Sequence, residues 1–92
     1  MLDAPLPDLI LYGRPGCHLC EETRQLVRDL LDARIRAGLK APTVIDRNIE
    51  TDPIWHRAFF ETIPVIELGD RLLELATSAS QVRRFLSDVL DA

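Results

Sequence analysis

Two rhythms of apolar residues divide this chain. Leu9, Ile10, Leu11 and Tyr12 form a short unbroken run ended by Gly13, Pro15 and Gly16, the pattern of a strand buried on both faces. From residue 18 the period changes. Leu19, Leu26, Val27, Leu30 and Leu31 lie on a 3.6-residue stripe, and nothing from 18 to 37 breaks a helix. Gly38 is placed to end it, and Pro42 prevents its resumption. Residues 43–49 are rich in β-branched side chains and read as a second strand, beside the first if the crossover is right-handed. Asp52-Pro53 opens a short helix with Trp55, Ala58 and Phe59 on its apolar side. Runs at 62–68 and 71–75, separated by Gly69-Asp70, predict a hairpin with a two-residue turn. Ser78 and Gln81 form a capping-box pair ahead of a last helix whose apolar positions are Val82, Phe85, Leu86, Val89 and Leu90. The order is β-α-β-α-β-β-α, an α/β chain with a four-stranded mixed sheet flanked by helices. Residues 1–7 read as a loose lead-in, and 8–92 as one domain.

Composition narrows the class. The 92 residues are 47% hydrophobic and 28% charged, as in ordinary globular chains. No apolar run approaches the ~18 residues of a membrane span, and the N-terminus lacks the basic and apolar regions of a secretory leader, so a cytoplasmic location is expected. Eleven basic against 15 acidic residues give a net charge of −4, which argues against nucleic acid as partner. The two cysteines, Cys17 and Cys20, close too short a loop to stabilise the fold by cross-linking. Their role is expected to be chemical.

Cys17 falls where the long helix begins. Backbone N–H groups without intrahelical partners point toward that end, and the helix dipole favours negative charge there, so a thiolate is stabilised over a thiol. Cys17 is the expected nucleophile. Cys20, one turn further in with fewer free donors, suits a resolving thiol. The Cβ separation of about 5 to 6 Å in a regular helix exceeds the ~3.8 Å of a relaxed disulfide, so the bridge is expected to distort the first turn and to be reducible. A fall in thiol pKa from about 8.5 to about 6.5 would raise the thiolate fraction about 25-fold at pH 7, while lower basicity would cut reactivity about 8-fold. The larger benefit is to Cys17 as a leaving group. Arg14 and protonated His18 would assist; Glu21 and Glu22 would oppose.

Two other readings of the pair stand beside this one. A zinc site needs four ligands, and the chain offers only His18 and His56 besides the cysteines, with His18 between them. An inert structural pair is the second.

The segment Tyr12-Gly13-Arg14-Pro15-Gly16-Cys17-His18-Leu19-Cys20 resembles the active-site segment of glutaredoxins, Y-[ST]-[KR]-P-x-C-x-x-C, and Thr62-Ile63-Pro64 resembles their T-V-P. Asn48 to Pro53 is similar to the D-I-D-x-D-P stretch of short glutaredoxin-like proteins. The resemblance spans about residues 9–90 and implies a thioredoxin-like fold. It further implies a cis Ile63-Pro64 bond facing the cysteines, with the Ile63 backbone pairing with an extended substrate. Arg14 matches the basic position for a glutathione carboxylate. The family's Gly-Gly pair and acidic residue before the last helix are replaced by Ala76-Thr77-Ser78-Ala79-Ser80, where helix N–H groups around Thr77 and Ser78 could still hold a carboxylate. Glutathione is therefore left open as reductant or co-substrate. His18-Leu19 replaces the familiar Pro-Tyr, which leaves the potential open.

Trp55 and Phe59 are expected in the core, with an apolar rim by the substrate groove as the other reading for them and for Phe60. His56 and Arg83-Arg84 are expected on solvated helix faces. The functional expectation is a monomeric cytoplasmic thiol–disulfide oxidoreductase: Cys17 attacks a protein or glutathione-mixed disulfide, Cys20 resolves the adduct, and glutathione or a thioredoxin-type system reduces the pair. No metal or organic cofactor is expected to be built in. The candidate substrate residues are Arg14, His18, Thr62, Ile63, Pro64, Thr77 and Ser78. Rival classes are a non-enzymatic binding module, holding a partner or an iron–sulfur cluster beside Pro64, and a structural domain that merely retains its cysteines.

Overall fold

Each element of the computed structural model, which describes residues 6–91, starts or stops for a local chemical reason. Of the expected lead-in at residues 1–7, residues 1–5 lie outside the described residues. Strand β1 (Leu9–Gly13) is followed by helix α1 (His18–Arg36), strand β2 (Val44–Asn48), a single 3₁₀ turn (Ile49–Thr51) and helix α2 (Pro53–Phe59). Strands β3 (Val65–Leu68) and β4 (Arg71–Leu73) and helix α3 (Ala79–Leu90) complete the order. Helix α1 ends in a Schellman motif. Gly38 adopts φ +80°, its N–H donates to Ile35 O at 3.0 Å, and Leu39 N–H donates to Arg34 O at 2.9 Å. Helix α2 is capped by Asp52, whose carboxylate accepts from Ile54 N–H at 2.8 Å, with Pro53 at the first helical position. In the β3–β4 turn Gly69 alone takes a positive φ, +64°, the signature of a type II′ hairpin. At α3, Ser78 Oγ accepts from Gln81 N–H at 3.4 Å.

The sheet order is β2-β1-β3-β4, with β1 parallel to β2 and antiparallel to β3, and β3 antiparallel to β4. Alternation along β1 splits the core. Leu9 and Leu11 face α1 and α3 with Ile66, Leu68, Val27, Leu31, Val82, Phe85 and Leu86. Ile10 and Tyr12 face the other way, with Ile49 and Val65, against Trp55, Phe59 and Ile63. Burying each large aliphatic side chain contributes roughly 1.5–3 kcal/mol, so the face with the longer cluster carries most of the stability. The hairpin is shorter than its apolar runs. Residues 62–64 carry the proline, and Leu75 turns into the left-handed region at φ 49°, so the ladder stops at Leu73. Leu19 belongs to the sequence stripe yet is 49% exposed; the buried face of α1 starts at Cys20 and Thr23 instead.

The smaller face is held by an aromatic and ionic group around Tyr12. Its ring packs on Phe59 and Trp55, at centroid distances of 4.6 and 6.0 Å. The expectation of Trp55 and Phe59 as packing residues holds for this face, where both are half-buried. Tyr12 O–H donates to Glu67 Oε1 at 3.1 Å and accepts from Arg47 Nη1 at 3.1 Å, while the Arg47 guanidinium lies 4.9 Å from the Trp55 ring. His56 is exposed and stacks on Phe60.

Burial, then the hydrogen bond to Glu67, raises the Tyr12 pKa above its ordinary value near 10, against the opposing hydrogen bond from Arg47. The folded chain thus keeps its phenol proton to higher pH than the unfolded chain. This stability is fully present below about pH 10 and is lost as pH rises through the folded value. Tyr12 is the chain's one tyrosine. Melting the disulfide form between pH 8 and 11 should show Tm falling at the alkaline end, with a shallower fall in Tyr12→Phe. Parallel curves would contradict the assignment.

Candidate functional site

The Cys17 loop is a type II turn. Arg14 O accepts from Cys17 N–H at 3.3 Å, Pro15 takes the second position, and Gly16 supplies φ +79° at the third. The turn delivers Cys17 to the N-cap of α1 with extended backbone, φ −85° and ψ 104°. There its Sγ accepts from Cys20 N–H at 3.2 Å, so a first-turn donor meets a sulfur. Cys17 and Cys20 form a disulfide with their Cα atoms 5.2 Å apart, inside the usual range of about 4.4–6.8 Å. This corrects the expectation of a distorted first turn. Cys17 lies outside the helix, so the helical spacing never applies to the pair, and α1 is regular from His18.

The two sulfurs are unequal. Cys17 is half-buried, whereas Cys20 is 2% exposed. Gly13 lies against the buried partner: a Cβ added there would stand 3.1 Å from Cys20 Cβ and 3.2 Å from its Sγ. Glycine at this place, where the glutaredoxin pattern has Ser or Thr, permits the close approach.

The Tyr12–Val65 pairing brings the end of β1, where the Cys17 loop departs, beside the start of β3, where Pro64 stands. The Ile63–Pro64 bond is cis. A relay of hydrogen bonds ties this bend to α1: Ala76 N–H donates to Pro64 O at 2.9 Å, and Thr23 Oγ1, buried, donates to Ala76 O at 2.7 Å. Ile63 N–H is already donated to Phe59 O at 3.1 Å, leaving its carbonyl for strand-like pairing. Thr62 O accepts from Leu75 N–H at 2.9 Å, and Thr62 Oγ1 is enclosed without a hydrogen-bond partner among the described residues.

The acids flanking the cysteines are paired. Glu21 accepts from Arg24 Nη1 at 3.1 Å, Arg24 Nε donates to Asp46 at 2.9 Å, and Glu22 lies 3.0 Å from His18 Nε2. The hydrogen bond to Asp46 raises the already high pKa of Arg24. Exposed pairs of this kind contribute little to stability, but Arg24 tempers the negative field that Glu21 would otherwise exert on Cys17. Arg14 is exposed and lines a cleft of about 330 Å³ that touches Gly13, Cys20, Arg24, Asp46, Arg47 and Asn48. Thr77 and Ser78 stand at the start of α3. Thr77 N–H donates to Leu75 O at 2.8 Å, and the Ser78 hydroxyl caps the helix. Among the described residues, no three His, Cys, Asp or Glu side chains gather as a metal-binding group.

A half-buried sulfur on a helix N-cap, a buried partner one turn behind and a cis proline on the adjoining strand make a recognisable set. The sequence profile described as Glutaredoxin-like domain (DUF836) matches residues 8–87. The chain belongs to this family. Among solved structures, a protein from X. campestris is similar with a TM-score of 0.67 and 23% identity, covering 87% of this chain and 96% of its own. A protein from Nitrosomonas europaea has a TM-score of 0.60 and 26% identity, with 80% of each chain covered. No curated protein matches. The glutaredoxin-like domain thus has the thioredoxin-like fold, and its Cys17/Cys20 pair is compatible with redox chemistry.

Three features of this glutaredoxin-like domain were not read from its sequence: the Thr23–Ala76 tie, the contact of Gly13 with Cys20 and the left-handed Leu75. The first depends on segments 53 residues apart meeting, and the second on α1 folding back against the end of β1. Thr23→Val should leave the buried Ala76 carbonyl unsatisfied and cost about 1–3 kcal/mol, lowering Tm by several degrees in calorimetry. Gly13→Ala should overpack the Cys20 sulfur and destabilise by about 1–3 kcal/mol; an unchanged Tm would refute the close approach.

Proposed function

We propose that this glutaredoxin-like domain is a thiol–disulfide oxidoreductase acting on protein or glutathione-mixed disulfides, working as a monomer in a reducing, cytoplasmic compartment. The observation that carries the reading is the asymmetry of the pair: Cys17 is accessible at a helix N-cap with a backbone N–H on its sulfur, and Cys20 is buried behind it. On reduction that N–H and the helix dipole favour Cys17 as thiolate.

The thiolate attacks one sulfur of a substrate disulfide, a Cys17–substrate disulfide forms, and the other substrate sulfur leaves and takes up a proton. Cys20 then loses its proton and attacks Cys17 Sγ. The substrate thiol leaves reduced, and two electrons have passed from the cysteine pair to the substrate. An external dithiol, or two monothiols such as glutathione, restores the pair by the reverse exchange. Cys17 is a good leaving group in both directions because its negative charge is held by the helix end. Ile63 offers one main-chain carbonyl to a bound chain, and Arg14, His18, Thr62, Pro64, Thr77 and Ser78 surround the approach in this reading.

Alkylation rates measured against pH should place the reduced Cys17 thiol below the ordinary value of about 8.5, with Cys20 higher. Cys17→Ser should abolish disulfide reduction, and Cys20→Ser should accumulate a Cys17–substrate adduct visible by mass spectrometry. A Cys17 thiol titrating at or above about 8.5, with no turnover of any disulfide, would reject the proposal.

A further inference from the structure

Leu75 is the one non-glycine residue with a positive φ, 49°, among the described residues, and its side chain is 53% exposed. The left-handed region crowds Cβ, and glycine enters it freely. Leucine is held there from both sides: its N–H donates to Thr62 O at 2.9 Å, and its carbonyl accepts from Thr77 N–H at 2.8 Å. A strained backbone that fixes an exposed apolar side chain next to a reactive site is a reason to look for a function of that side chain. The next residue, Ala76, is bonded to Pro64 O, so Leu75 adjoins the bend on which a substrate chain would lie. A second leucine comes from another element. Leu19, between the two cysteines in sequence and 49% exposed, lines a small cavity together with Thr77.

Two further observations bear on what these leucines meet. Ile63 N–H is spent on Phe59 O, so an extended ligand gains a single main-chain hydrogen bond at Ile63, and side-chain contact must supply more of its binding. The exposed residues preceding Thr62 and Leu75 are Glu61 and Glu74, which disfavour a small anion. Arg14 lines the cleft touching Cys20 instead.

We propose that Leu75, with Leu19, sets the specificity of the site for protein disulfides whose cysteine is flanked by a bulky apolar side chain, over the anionic disulfide of glutathione. This rests on the oxidoreductase reading above and names its substrate class. Covering the exposed half of one leucine accounts for a preference of about fivefold.

The test compares kcat/KM of the full chain, recycled by dithiothreitol, for three substrates: two disulfide-bonded peptides identical except for Leu or Ser beside the cysteine, and glutathione disulfide. Wild type should favour the Leu peptide about fivefold over the Ser peptide, with glutathione disulfide slowest. Leu75→Gly, which suits the backbone and should melt no lower than wild type, should bring the peptide ratio close to one. Leu75→Met should retain the preference, and Ile35→Ser, near the far end of α1, should leave the ratio unchanged. Equal ratios in wild type and folded Leu75→Gly, or glutathione disulfide as the fastest substrate, would overturn the specificity while the oxidoreductase reading stands. No turnover of any of the three substrates would overturn both.

Discussion

A helix cannot bond its own first N–H groups, and here one of them meets sulfur. Cys20 N–H points back along α1 to Cys17 Sγ because Cys17 occupies the N-cap, where serine, threonine or aspartate more often supplies an oxygen. That exchange of acceptor puts a sulfur, where an oxygen is usual, at the start of the helix. The helix needs an acceptor at this position, and a thiolate is a better one than a thiol. Under the proposed function, the interaction that starts the helix is also the one that favours the Cys17 thiolate once the pair is reduced. The Pro15-Gly16 turn fixes Cys17 there, since only a positive φ at Gly16 lets the chain leave β1 and enter α1 so abruptly.

The rest of the site is arranged around this end of the sheet. Antiparallel pairing of β1 with β3 brings the cis Ile63–Pro64 bond to the same edge, and the Thr23–Ala76–Pro64 relay fastens α1, the turn after β4 and the bend into one body. Main-chain groups dominate this relay. Its buried hydrogen bond would leave a carbonyl unsatisfied if broken, which makes the relative position of α1 and the bend resistant to loosening. Leu75 is held left-handed by the same bonds that fasten the turn, so its exposed side chain is presented at a fixed place.

Charge around the pair is moderated rather than uniform. Arg24 spans Glu21 and Asp46, His18 meets Glu22, and Arg47 is held over aromatic rings beside Tyr12. Arg24 thus offsets Glu21, and the helix end adds a field that favours negative charge at Cys17.

The element order, the caps at Asp52 and Ser78, the stop at Gly38 and the turn at Gly69 were legible in the sequence, because each is decided by residues within a few positions of one another. So was the Cys17–Cys20 pair at the start of the long helix, since its spacing and the helix start are local, and that pair is compatible with redox chemistry. The helix start at residue 18, with Cys17 before it, was legible in the sequence as well, whereas the bond of Ile63 N–H to Phe59 O and the contact of Gly13 with Cys20 were not. Nor could it show Leu19 exposed in place of Thr23 on the inner face, or Leu75 forced left-handed. Thr23 and Leu75 are placed by hydrogen bonds to Ala76 and Thr62, between segments up to 53 residues apart, whereas the Gly13 and Ile63 contacts are made where one element folds back on its near neighbour in the chain. Local preference sets where helices and turns begin. Only the assembled tertiary structure decides which backbone groups remain free and which side chains face a substrate.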